Sequence, residues 1–163
     1  MYSRNEDTIK SLVAQYQQKL FTFVLYLIGQ DQDRAYDICV DSFVEVIRKG
    51  PSLEQKDAFL TRLFSLAVTK SRSTKAIPGL SMPGLLDISS AEKESLRIVA
   101  EALQSLDFDE KSVLLLHYQL NFSYEEMAAM MKVSEQSARR TAIEAEMQIR
   151  KKIDEIMNRA GRN

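Results

Sequence analysis

Apolar positions recur at spacings of three and four along most of the chain, a period that predicts helices rather than strands. Ile9, Leu12, Val13, Tyr16, Leu20, Val24, Leu27 and Ile28 form one stripe that stops at Gly29. After the polar turn Gln30-Asp31-Gln32-Asp33, a second stripe runs through Ala35, Ile38, Cys39, Ser42, Phe43, Val46 and Ile47 and ends at Gly50-Pro51. A third begins near Asp57 with Phe59, Leu60, Leu63, Phe64 and Ala67, then gives way to Lys70-Ser71-Arg72-Ser73-Thr74-Lys75. Three amphipathic helices can enclose one small core.

The period lapses over 74–90, where Pro78-Gly79 and Pro83-Gly84 interrupt it. This stretch reads as a linker, and Leu80, Met82, Leu85, Leu86 and Ile88 leave open whether it is solvated or docked. Beyond it, Ser89-Ser90-Ala91-Glu92 has the form of a capping box, followed by Leu96, Val99, Leu103 and Leu106 facing inward. Asp107-Phe108-Asp109-Glu110 starts another helix with Val113, Leu114, Leu116 and Leu120 inward, and Asn121 stops it. Ser123-Tyr124-Glu125-Glu126 opens a short third, with Phe122 and Met127 spaced as a hydrophobic staple. The expected fold class is all-α: a helical domain over 1–73, a linker over 74–90 and a second helical domain over 91–163.

Within the second domain the short helix ends near Met131, and Ser134 is placed to cap a long helix from Glu135 past Lys152. Short helix, tight turn and long helix make a helix-turn-helix, whose second helix enters the major groove by its amino-terminal end. That end exposes Glu135, Gln136, Ser137, Arg139 and Arg140, while Ala138, Ala142, Ala145, Ile149 and Ile153 fall inward. Gln and Arg suit base edges, so Gln136, Ser137, Arg139 and Arg140 are the candidate DNA contacts here. A helical bundle without DNA contacts would show the same caps and spacing.

Charge changes this picture in one respect. The 163 residues carry a net charge of −1, with 10 basic and 9 acidic residues in 1–73 and 11 and 13 in 91–163. Neither half has the basic excess usual for a nucleic-acid binder, so any such contact rests on local placement. No apolar run approaches the roughly 20 residues of a membrane span, and the acidic amino terminus does not resemble a secretion signal. A cytoplasmic location is expected, with no membrane-spanning segment. The single Cys39 lies in an apolar stripe and reads as a core side chain. The single His117 has no second His or Cys at ligand spacing, and no glycine-rich phosphate loop is present. No catalytic residue, metal site, cofactor or small-molecule substrate is expected, and the chain does not read as an enzyme.

The run Leu106 to Tyr118, followed by Phe122 to Ser134, resembles region 4 of the ECF (extracytoplasmic-function) sigma factors. Leu20 to Gly29 and Asp33 to Ile47 resemble sigma region 2. The resemblance implies that the first domain docks on core RNA polymerase and opens the promoter, and that the second reads the upstream promoter element. It implies a polymerase-binding surface at Asp37, Val40, Asp41, Val44 and Glu45, whose acids form one edge of the second helix. Lys70 and Arg72 would contact promoter DNA, and an anti-sigma factor would be a further partner. Two stations depart from the family pattern. Phe59, Leu66 and Lys70 stand where typical members carry a Trp, an Asn and basic or aromatic residues for strand capture. Glu144 and Glu146 stand where two Arg are usual, which places like charge toward phosphate if they point outward. The alternative implied is a sigma-like mimic that binds an anti-sigma factor without reading DNA.

Overall fold

The computed structural model describes residues 2–29, 31–49, 54–74 and 90–162, and every regular element among them is helical. In chain order these are α1 (Tyr2–Leu27), α2 (Gln32–Lys49), α3 (Lys56–Arg72), α4 (Ser90–Gln104), α5 (Phe108–Leu114), α6 (Tyr124–Met131) and α7 (Glu135–Ala160). A π-helical turn, Leu115–Gln119, prolongs α5. Gly50-Pro51, most of the linker with its two Pro-Gly pairs, and the Ser89 end of the first capping box lie outside the described residues.

Local chemistry explains where most elements begin and end. Gly29 takes a positive φ of 83°, the left-handed conformation that lets the chain leave α1 at little steric cost. Asp31 Oδ1 accepts the Arg34 N–H at 3.1 Å and so caps α2. Two capping boxes are closed in both directions. Asp107 accepts from Glu110 N at 2.8 Å while Glu110 accepts from Asp107 N at 3.1 Å, and Ser123 and Glu126 do the same at 3.1 and 2.8 Å.

The inward stripes of α1 to α3 are buried much as their spacing predicts, with additions. Phe23, Leu25, Leu66 and Val68 join the core, so α3 is apolar on more than one face. The reason is packing on two sides: α3 lies against α1 and α2, and also against α6 of the other half. Phe64 is the meeting point, edge-on to Phe23 at 5.6 Å and to Phe122 at 5.2 Å between ring centroids. Edge-to-face pairs contribute about 0.5–1.5 kcal/mol each beyond the area they bury. Buried residues of both halves therefore form one continuous apolar cluster.

Several expected core positions come out differently, Leu96, Ile149 and Ile153 among those only partly buried. Val99 and Ile47 are exposed and Leu120 is only partly buried, whereas Leu115 is buried. Leu115 belongs to a run that is buried on all its faces, and Leu120 follows the end of the helix. Lys111 through Leu116 are all buried, so the segment is packed on several sides and its burial does not follow one 3.6-residue stripe. Val99 and Ile47 instead edge the open grooves described below.

Lys111 is a second tie between the halves. It is 5% exposed, and its Nζ donates to the Leu27 carbonyl at 3.3 Å and to Gln104 Oε1 at 3.4 Å. A cation there meets the carboxyl end of α1, where the helix dipole is negative. Burial nonetheless pushes its pKa below the ordinary lysine value of 10.5. Between that lowered value and 10.5 the unfolded chain holds a proton that the folded chain does not, so stability from this group rises with pH across the window. Urea titrations of wild type and Lys111→Met should accordingly diverge in alkali, with wild type gaining on the variant as pH rises toward 10.5. Parallel pH profiles would contradict a desolvated Lys111.

Candidate nucleic-acid interface

The helix-turn-helix is built by α6, a three-residue turn and α7. Its turn depends on Lys132, which adopts φ 58° and ψ 44° while the Lys132 and Val133 N–H groups both reach back to the Ala128 carbonyl. Ser134 then accepts the Ser137 N–H at 3.1 Å and caps α7. On α7, Ala138, Ala142 and Ala145 are buried, and their small side chains let the helix approach α4, α5 and α6 closely.

With that line inward, helix geometry sets the opposite line outward: Gln136, Arg140, Ile143 and Met147, at successive steps of three or four. Ile143 is 52% and Met147 66% exposed, although both are large and apolar. The sequence reading missed these two as surface residues. Their signal was available in the register, since the outward line follows once the alanines are taken as inward.

The expected DNA contacts fall into distinct environments. Gln136 and Arg140 are exposed, and Arg140 carries no ion pair among the described residues. Ser137 is half-buried and its N–H is spent on the cap. Arg139 pairs with Glu135 at 3.1 Å and lies over the Tyr124 ring, 4.5 Å from its centroid. The two acids that raise the phosphate question also differ. Glu144 is exposed, whereas Glu146 accepts the Tyr118 hydroxyl and faces Arg150 at 3.7 Å, so it is turned along the helix flank. The hydrogen bond to Glu146, with some desolvation, pushes the Tyr118 hydroxyl pKa up.

Lys70 and Arg72 are drawn into other contacts. Lys70 pairs with Glu45 at 3.1 Å and holds that carboxyl below its usual range. Arg72 pairs with Asp109 across the halves at 2.7 Å and lies over Phe108 at 4.6 Å. Phe59 and Leu66, at the family's strand-capture stations, are buried at 1% and 7% exposure.

On the first half, α1 and α2 leave an open apolar groove of about 410 Å³, lined by Val13, Phe21, Tyr36, Val40, Phe43, Val44 and Ile47 among others. Val40 and Val44 project from its wall, Asp37 and Asp41 are exposed on the same helix, and Glu45 is half-buried against Lys70. A second groove of about 340 Å³ lies between α4, the π-helical turn and α7, with Val99, Leu103, Tyr118, Ile149 and Ile153 in its lining. Cys39 is buried, and burial pushes its thiol up to about 12, so it is inert as a nucleophile. His117 Nδ1 lies 3.0 Å from the Phe122 carbonyl, a satisfied helical histidine. Among the described residues no group of three or more His, Cys, Asp or Glu is placed to hold a metal ion, and no helix is long and apolar enough to cross a membrane.

Comparison with known proteins agrees with this geometry. The family model for sigma-70 region 4 matches residues 96–143, a span that contains α5, α6, the turn and the docking end of α7. Along the length of the chain, the ECF RNA polymerase sigma-E factor of Haemophilus influenzae is 25% identical over 167 residues, covering 90% of this chain and 87% of its own. The chain is thus similar to ECF sigma factors over most of its length and to sigma-70 region 4 in its helix-turn-helix. The RNA polymerase sigma-H factor of Pseudomonas aeruginosa is 24% identical over 170 residues, with 91% and 88% covered. A solved structure of CnrH in complex with the cytosolic domain of CnrY shares the fold of this chain, with a TM-score of 0.69, 21% identity and coverage of 90% and 87%.

The cap of the recognition helix gives a direct check on this assembly. Ser134→Ala should lower folding stability by about 1 kcal/mol, the usual value for a lost serine cap, and Ser134→Asp should retain it. Urea denaturation reads both, and equal stability of all three proteins would mean that the cap does not hold the first turn.

Proposed function

We propose that this chain is a transcription initiation subunit that binds core RNA polymerase through the α1–α2 groove and reads duplex promoter DNA with the outward line of α7. It has no catalytic role of its own, and any chemistry belongs to the polymerase. The observation that carries the proposal is the pairing, in one chain, of an uncovered helix-turn-helix with an uncovered apolar groove edged by acids. Val40 and Val44 would receive the apolar face of a helix on the polymerase, and Asp37 and Asp41 would select one with a basic flank. Gln136 and Arg140 would meet base edges, with Ile143 and Met147 supplying apolar contact such as a thymine methyl offers. We further propose that 1–73 and 91–163 act as separate functional domains, one for each partner, in the cytoplasm.

A second reading is supported by particular residues. Glu144 is exposed on the recognition helix, Lys70 and Arg72 are already paired, and the strand-capture stations are buried, all of which weaken DNA contact. The apolar grooves are unaffected by these features, so the chain could occupy an anti-sigma factor without initiating transcription. CnrH, with the same fold, binds the cytosolic domain of CnrY.

In-vitro transcription from genomic fragments with matched core polymerase separates the two. Val40→Asp with Val44→Asp should reduce affinity for core polymerase at least tenfold, since two buried-on-binding apolar side chains would each contribute more than about 1 kcal/mol. Arg140→Ala should leave core binding intact and weaken promoter affinity by about 1–3 kcal/mol if the contact is a bidentate base pair. Wild-type protein that initiates at no fragment and binds no core polymerase would leave the mimic reading in place.

A further inference from the structure

Arg139 differs from its neighbour Arg140 in being held before any ligand arrives. Its guanidinium lies 4.5 Å from the Tyr124 ring centroid, and Tyr124 in turn stacks on His117 at 4.8 Å with an interplanar angle of 21°. His117 is fixed from beneath: its Nδ1 lies 3.0 Å from the Phe122 carbonyl, which requires the N–H on that nitrogen, and Tyr118 meets its ring edge-on at 5.0 Å. The result is a three-layer stack of cation, phenol and imidazole running from the π-helical turn through the first residue of α6 to α7.

Two features make this more than packing. The Arg139 side chain remains about half exposed at the docking end of the recognition helix, so its outer donors stay available to a ligand. The stack also restrains the guanidinium through its face and consumes none of its five N–H groups, whereas Glu135 occupies only one nitrogen, Nη2, at 3.1 Å. A planar fork held this way loses less rotamer freedom on binding than a free Arg side chain does.

We propose that Tyr124, seated on His117, is a positioning residue that presets the Arg139 guanidinium for bidentate contact with duplex DNA. This rests on the duplex-reading function proposed above. The ligand chemistry is a pair of adjacent acceptors, which either the O6/N7 edge of guanine or a phosphate can present.

The test uses full-length protein with core polymerase and duplexes selected by that holoenzyme from a randomised pool. Tyr124→Phe keeps the ring and should hold affinity within twofold of wild type. Tyr124→Leu keeps apolar bulk without a π face and should lose about three- to fivefold, the size of a cation–π contact at an exposed site. In an Arg139→Ala background the same Tyr124→Leu change should have no further effect. Relaxation of the Arg139 Nε–H in the free protein gives a second readout: ordered in wild type and Tyr124→Phe, mobile in Tyr124→Leu. Replacing single guanines by 7-deazaguanine removes the N7 acceptor. If one such replacement abolishes the Tyr124 effect, the acceptor is a base, and if none does while Arg139→Ala flattens the salt slope by about 0.9, it is a phosphate. Either result supports the proposal. Equal losses with and without Arg139, or no loss at all, would overturn it while leaving duplex reading intact. Absence of any duplex binding by the wild-type holoenzyme would remove both.

Discussion

Phe64 is the contact on which the arrangement of the molecule depends. It sits fully buried on α3 with Phe23 on one side and Phe122 on the other, so a single ring belongs to the cores of both halves. Phe122 is also the residue that leads into the Ser123 capping box, and the start of the helix-turn-helix is thereby pinned to α3. An aromatic ring suits this position because edge-to-face geometry fixes angle as well as distance, which aliphatic packing does not. Around it, Lys111 ties α5 to the end of α1, and the Arg72–Asp109 pair closes the exposed rim. The rim pair is solvent-screened and contributes little, so the aromatic contact and the apolar cluster around it carry the association.

That association, together with the packing of the first half, bears on function because the two occupy groups that DNA or a partner would otherwise meet. Arg72 is drawn across to Asp109, while within the first half Lys70 faces Glu45 and Phe59 and Leu66 are core residues. The grooves and the outward line of α7 remain open in the same arrangement. The surfaces proposed for polymerase and duplex reading are thus available while the basic tail of α3 is not, an asymmetry that separates docking from strand capture.

The recognition helix owes its placement to backbone devices more than to charge. The π-helical turn aligns His117 and Tyr118 with α6 and α7, Lys132 takes the left-handed turn conformation, and Ser134 caps the long helix. With a net charge of −1 the chain has little long-range attraction for DNA, so the duplex contact proposed above depends on specific placement of a few donors. Turning Glu146 toward Tyr118 and Arg150 reduces the like charge facing outward, leaving Glu144 as the exposed acid.

The sequence by itself determined the all-helical class, the helix starts at Asp107, Ser123 and Ser134, and the inward alanines of α7. Those features are set by interactions within a few residues, caps and period, and need no distant partner. Val40 and Val44 are singled out by the resemblance to sigma region 2, not by local spacing. Local spacing could not reveal that Leu115 is buried and Val99 exposed, because the first depends on neighbours packed on several sides of α5 and its π-helical extension and the second on a groove that no other element fills. Nor could it join Phe64 to Phe122, Lys111 to Leu27, or Arg139 through Tyr124 to His117. Each of those contacts brings together residues on different elements, and only the tertiary fold decides which faces meet.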